Sequence, residues 1–125
     1  MKKIINTSKA PAPIGPYSQA VFVNGLLFVS GQVAFDPANG NLVLDDIKTE
    51  TNRVMENIKA ILTEAGMSFD NVVKTSIFLA DMGNFAQVNE VYGSYFSKDF
   101  PARETVQVAK LPKEVNVEIS VIAAS

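Results

Sequence analysis

The sequence predicts an α+β fold, with a mixed β-sheet carrying two helices on one face and a single domain spanning residues 1–125. Three observations carry that prediction. A chain of 125 residues, 47% of them hydrophobic, is long enough for one core and too short for two comfortable ones. Apolar runs with strand character are interleaved with two stretches of helical period. The element order is hairpin, helix, strand, helix, strand, strand, and no linker, repeat or low-complexity segment interrupts it.

At the start, "APAPIGPY" sets Pro11, Pro13 and Pro16 around Gly15, a composition that stiffens an extended approach to Tyr17. Asn24-Gly25 between two β-rich runs predicts a type I′ hairpin. In that hairpin Val23 faces Leu26, and counting outwards pairs Gln19 with Ser30 and Tyr17 with Gln32. "DPANGN", Asp36 to Asn41, is a turn cluster. Ile47, Val54, Met55, Ile58, Ile61, Leu62 and Ala65 then recur at helical spacing, with Asp45 or Asp46 as N-cap and Gly66 as the C′ residue.

"NVVKTSIFLA", Asn71 to Ala80, is β-branched and apolar on both faces, which predicts an interior strand. A second helix follows from Asn84, whose spacing to Gln87 predicts a capping box. Its buried stripe is Phe85, Val88, Tyr92, Tyr95 and Phe96. Pro101 ends that region. Two strands remain, Arg103 to Ala109 and Val115 to Ala123, joined through "KLPKE".

Composition narrows the chemistry. With 19% charged residues the chain is less charged than an average soluble domain, so part of its surface is expected to lie against another subunit. A net charge of −2 and a pI near 5.0 give no electrostatic footprint for nucleic acid. Zero cysteines and zero histidines remove thiol catalysis, thiolate metal sites, the commonest metal ligand and the commonest general base. Chemistry must come from carboxylates, hydroxyls, arginine, backbone and water, with no cofactor and no metal expected. "MKKIINTSKAPAP" lacks a signal-peptide core, and no run approaches the ~20 apolar residues of a membrane span. A soluble, cytoplasmic protein without a membrane partner is expected.

Strand alternation puts Arg103, Thr105 and Gln107 on one face of their strand. In the last strand it separates Val115, Val117, Ile119 and Val121 from Asn116, Glu118 and Ser120. If the helices cover the Val and Ile face, Arg103, Thr105, Glu118 and Ser120 project from the other side, where the hairpin adds Tyr17, Gln19, Ser30 and Gln32. Each feature also has an ordinary reading. An arginine near an acid is commonly a surface pair worth ~0 to 1 kcal/mol, and a lone glutamate can sit solvated on an open sheet face. Tyr17 can simply pack its ring, Ser30-Gly31 can mark a bulge, and Asn89 can be a polar residue at a helix edge.

The segments "APAPIGPYSQA", "LLFVSGQV", "NVVKTSIFLADMGNFAQVNEVYGSYF" and "FPARETVQVAKLPKEVNVEI" together resemble the RidA (YjgF) family of reactive-intermediate imine deaminases, nearly end to end. The resemblance implies a chorismate-mutase-like α+β fold assembled as a homotrimer, with sites in the clefts between subunits. It also implies a central last strand, so that "KLPKE" steps over a neighbouring strand. The implied activity is hydrolysis of 2-iminobutanoate and 2-iminopropanoate, with their enamine tautomers such as 2-aminoacrylate, to 2-keto acids and ammonia. These substrates are released by pyridoxal-phosphate-dependent serine and threonine dehydratases.

Residue by residue, the resemblance implies that Arg103 binds the substrate carboxylate and Glu118 positions water. It places Tyr17, Ser30, Gly31 and Asn89 in the site as well. Thr105 stands where the family often has cysteine, so its contribution would come from the backbone. Glu104 replaces a usually small residue and by alternation points away from Arg103; Ser120 replaces a common second glutamate. Two rival functions remain, a small-carboxylate-binding regulator and an endoribonuclease.

Overall fold

The computed structural model describes residues 1–125. Six strands form one mixed sheet: β1 (Lys3–Ile5), β2 (Ala20–Val23), β3 (Leu26–Gln32), β4 (Val72–Leu79), β5 (Ala102–Gln107) and β6 (Val117–Ala124), in spatial order β1-β2-β3-β6-β4-β5. Two helices, α1 (Ile47–Glu64) and α2 (Phe85–Gly93), pack on the sheet. The α+β class and the central place of β6 are as anticipated. β6 pairs antiparallel with both β3 and β4, while β5 lies parallel to β4 on its other side. "KLPKE" therefore carries the chain past β4 instead of closing a hairpin. It contains the short turn Pro112–Glu114, where Lys113 and Glu114 take φ of 56° and 55°.

The ends of α1 follow from its sequence. Asp46 accepts the Thr49 N–H at 2.8 Å, satisfying a donor that the first turn leaves free. At the other end Gly66 takes φ +75°, and the N–H groups of Gly66 and Met67 donate to Thr63 and Leu62 in a Schellman arrangement. The stripe Val54, Met55, Ile58, Ile61 and Leu62 is fully buried against Leu27, Val29, Ile77, Leu79, Val117, Ile119 and Val121. Fully burying one such side chain contributes ~1.5–3 kcal/mol, so this layer dominates the stability.

The hairpin turn forms as predicted, with Asn24 at φ 51°, Gly25 at φ 78° and Val23 facing Leu26. The Ser30 N–H donates to the Gln19 carbonyl at 2.9 Å, so that pair holds too. The pairing of Tyr17 with Gln32 does not form. A bulge intervenes, since Val29 faces Val121 and Gln32 faces Ile119, leaving Ser30 and Gly31 together opposite Ser120. Gln32 accordingly takes the helix side with Ile119 and is buried. Gln19 is buried as well, under the N-terminal segment: its amide accepts the Thr7 N–H at 2.7 Å and donates to the Thr7 and Pro11 carbonyls at 3.0 and 2.9 Å. Neither glutamine joins the polar layer assigned to it.

Two local differences complete the picture. β1 was not anticipated, and it pairs antiparallel with β2 through Lys3 to Ile5. Asn84 forms no capping box; Asp81 accepts the Gly83 N–H at 2.8 Å and caps a short turn, Met82–Asn84, that leads into α2. Tyr95 and Phe96 lie beyond the end of α2 but still cover the core, 5.2 and 5.3 Å from the Phe69 ring. No helix is long and apolar enough to cross a membrane.

Candidate functional site

Which face each side chain takes is fixed by register. In the parallel pair β4 and β5, Thr75 lies beside Arg103, Ile77 beside Thr105 and Leu79 beside Gln107. In-register neighbours share a face, and Thr75, Ile77 and Leu79 are fully buried beneath the helices. Arg103 and Thr105 therefore stand on the helix side. Glu118 lies beside Phe78 and Ser120 beside Ser76, on the side that no helix covers.

This corrects the expectation that Arg103, Thr105, Glu118 and Ser120 share one face. The error has a physical cause. β5 is an edge strand with most of its residues exposed, and even Val106, on the face opposite Arg103, is 43% exposed. Alternation in such a strand is correct in period but not anchored in phase. The candidate residues thus divide into two groups on opposite faces.

The helix-side group centres on Arg103. Its Nη1 donates to Asn89 Oδ1 at 2.6 Å, and the guanidinium carbon lies 5.5 Å from the Phe85 ring centre and 5.2 Å from that of Tyr92. All three partners come from α2, so one helix face holds the arginine. An open cavity of about 460 Å³ adjoins it, lined by Asn89, Tyr92, Gly93, Phe100, Pro101 and Arg103. The Tyr92 hydroxyl donates to Thr75 Oγ1 at 3.0 Å; burial raises its pKa, with that hydrogen bond and the nearby Arg103 acting the other way. Thr105 Oγ1 is buried with no protein partner.

The open-face group centres on Glu118. Its carboxylate lies against Gly31, in the space that a Cβ there would occupy, so a side chain at that position would displace it. Burial raises the Glu118 pKa above the ordinary carboxylate range. Ser30 Oγ donates to the Ser18 carbonyl at 2.6 Å, locking the strand beside the bulge. Half-exposed Tyr17 follows a tight turn in which its N–H donates to the Gly15 carbonyl at 2.9 Å. Tyr17 and Gly31 border one small cavity, shared with Ile14. Glu104 points to this same face, as alternation predicted, where it accepts a hydrogen bond from the Ser76 hydroxyl and pairs with Lys74 Nζ at 3.0 Å. The Ser76 hydrogen bond, followed by Lys74, lowers its pKa.

Sequence reasoning missed four contributors. Phe85 and Tyr92 were read only as core, and Thr75 was not singled out. Glu50 was missed too, although it precedes Val54 by four residues and so falls on the buried stripe of α1. It is fully buried, accepting the Asn116 N–H at its Oε2 and the Asn116 Nδ2 at its Oε1, both at 2.8 Å. That clasp fixes the chain two residues before Glu118. No group of three or more His, Cys, Asp or Glu side chains lies close enough to hold a metal ion.

Comparison with known proteins agrees with this architecture. The profile of the family described as endoribonuclease L-PSP matches residues 7–125. A RutC family protein of Pyrococcus abyssi is 53% identical over 122 residues, covering 98% of this chain and 96% of that protein. The 2-iminobutanoate/2-iminopropanoate deaminase of Bos taurus is 51% identical over 123 residues, covering 98% of this chain and 90% of its own. The crystal structure of RidA from an Antarctic Psychrobacter superposes with a TM-score of 0.95 at 46% identity, covering 98% and 99% of the two chains.

Proposed function

The chain belongs to the RidA (YjgF) family, and from that premise we propose that it hydrolyses 2-iminobutanoate and 2-iminopropanoate, with the 2-aminoacrylate tautomer, to 2-keto acids and ammonia. The observation that carries the proposal is the division of the candidate residues. A fixed guanidinium stands on one face of the sheet and an acid with a raised pKa on the other.

Two such groups meet only if separate copies of the chain supply them. We therefore place the site between subunits of a homotrimer: Arg103, Asn89 and Thr105 from one copy, and Tyr17, Ser30, Gly31 and Glu118 from its neighbour. The exposed Leu26 and Phe28 on the open face of β3 support assembly through that face.

Arginine stays protonated and is a poor acid or base, but its planar fork fits a carboxylate through two charge-assisted hydrogen bonds. Arg103 anchors the substrate, with Asn89 keeping the fork in place. Glu118 accepts a proton from water as that water attacks the C=N carbon, and the imine nitrogen takes up a proton. The resulting carbinolamine collapses: its hydroxyl becomes the keto oxygen, the C–N bond breaks, and the nitrogen leaves as ammonia. A carboxylate whose pKa is raised toward the working pH is a better base for this step than a fully solvated one. The Thr105 backbone and the Ser30-Gly31 bulge shape the floor, and Tyr17 donates to the bound carboxylate. Such imines also hydrolyse in water alone, so orientation supplies much of the required acceleration.

The substrates would arise in the cytoplasm from pyridoxal-phosphate-dependent dehydratases acting on serine and threonine. The ribonuclease activity named in the family's description finds less support, because the chain has a net charge of −2 and no histidine. The test is the lifetime of 2-iminobutanoate generated by threonine dehydratase, with and without purified protein. A shortened lifetime is expected. An unchanged lifetime together with tight binding of 2-oxobutanoate would instead favour a carboxylate-binding regulator.

A further inference from the structure

Tyr92 lies on the buried stripe of α2, yet its contacts do more than fill space. Its ring centre is 5.2 Å from the Arg103 guanidinium carbon, and its hydroxyl donates to Thr75 Oγ1 at 3.0 Å. Thr75 is the residue beside Arg103 in the β4–β5 register. The contacts close a triangle: the strand neighbour of Arg103 grips the hydroxyl end of the ring that flanks the arginine's head group. Thr75 is fully buried on a face it shares with Ile77 and Leu79, and the tyrosine is what satisfies its hydroxyl there.

We propose that Tyr92, tethered through Thr75, is a positioning residue that holds the Arg103 guanidinium in its carboxylate-receiving orientation. The inference rests on the carboxylate role given to Arg103 above. Its physical basis is the freedom of an arginine on an exposed edge strand. Without a fixed neighbour the long side chain samples many rotamers, and binding an anion must then freeze them. A ring held at both ends removes that freedom in advance. Packing against aromatic rings uses the guanidinium's faces, and Asn89 takes Nη1, so N–H groups along the rim remain for a carboxylate.

The test uses the assembled protein and three near-isosteric variants, Tyr92→Phe, Thr75→Val and the two combined. Binding of 2-oxobutanoate is measured by calorimetry and the Arg103 Nε–H resonance by NMR. Each single variant should weaken binding about three- to fivefold, shift the Arg103 resonance, and raise KM by the same factor with kcat unchanged. The double variant should be no worse than either single one, because both cut the same tether.

Wild-type affinity in either folded single variant, an unmoved Arg103 resonance, or additive losses in the double variant would overturn the inference. If one single variant fails to fold, the other still decides. A wild-type protein that binds 2-oxobutanoate through Arg103 but hydrolyses no imine would end the deaminase reading and leave this one standing. A wild-type protein with no affinity for 2-oxobutanoate would end the inference along with the anchoring role.

Discussion

The two faces of the sheet are built on different plans. On the helix side, Arg103 is a pre-assembled device: one helix gives it a hydrogen bond and two aromatic walls, and the neighbouring strand braces one of those walls. On the open side, Glu118 makes no comparable contact within its own chain; it rests on the gap left by Gly31 and is held above its usual pKa by burial alone. A guanidinium whose partners are already in place is suited to gripping a ligand. An acid left without partners is suited to accepting a proton. On the function proposed above, the fold would separate anchoring from chemistry by placing them on opposite faces of the sheet.

The strongest way to break this contrast is to mix copies. Arg103→Ala and Glu118→Gln protein should each be nearly inactive alone. After unfolding together and reassembling in equal amounts, about a quarter of wild-type activity should return, since that share of interfaces in a ring joins an intact arginine to an intact acid. Initial rates of imine hydrolysis measure it, and a mixture no better than its parents would sink the division of labour.

Next in size is Glu118→Gln by itself, with an expected fall in kcat of about 10²-fold and little change in KM. Its stability should move the other way. Because the folded pKa of Glu118 is raised, the wild type is most stable where the carboxyl is protonated and loses stability as pH climbs from the unfolded value through the folded one. The glutamine variant lacks that decline, so its Tm should gain on that of the wild type between acidic and neutral pH.

The smallest expected effect sharpens the comparison from the helix side. Glu50→Gln offers one acceptor where Asn116 presents two donors, and should cost about 1–3 kcal/mol in urea unfolding. A variant as stable as the wild type would mean that the start of β6 does not depend on α1.

Much of this was legible in the residues. The Asn24-Gly25 turn, the Asp46 cap, the Gly66 stop and the apolar stripe of α1 were readable because each depends on local chemistry that acts over a few positions. The phase of β5 was not, since an edge strand lacks the burial that tells one face from the other. Gln19 and Gln32 misled for a related reason: their polarity is satisfied internally, by backbone brought from Thr7 and Pro11 in one case and by a bulge in the other. Single-residue signals such as Gly31 carried chemical meaning only once Glu118 was seen lying over it. The resemblance supplied the central position of β6, which no local pattern encodes.

That central position has a consequence for how the molecule is made. β1, β2 and β3 form one ribbon and β4 and β5 another, and β6 is the seam between them. Until residues 117–124 have left the ribosome, both ribbons present raw edges to any strand that passes. Native folding must wait for that seam, and the interval before it arrives is when the nascent chain is most open to capture by chaperones or to sticking to its siblings.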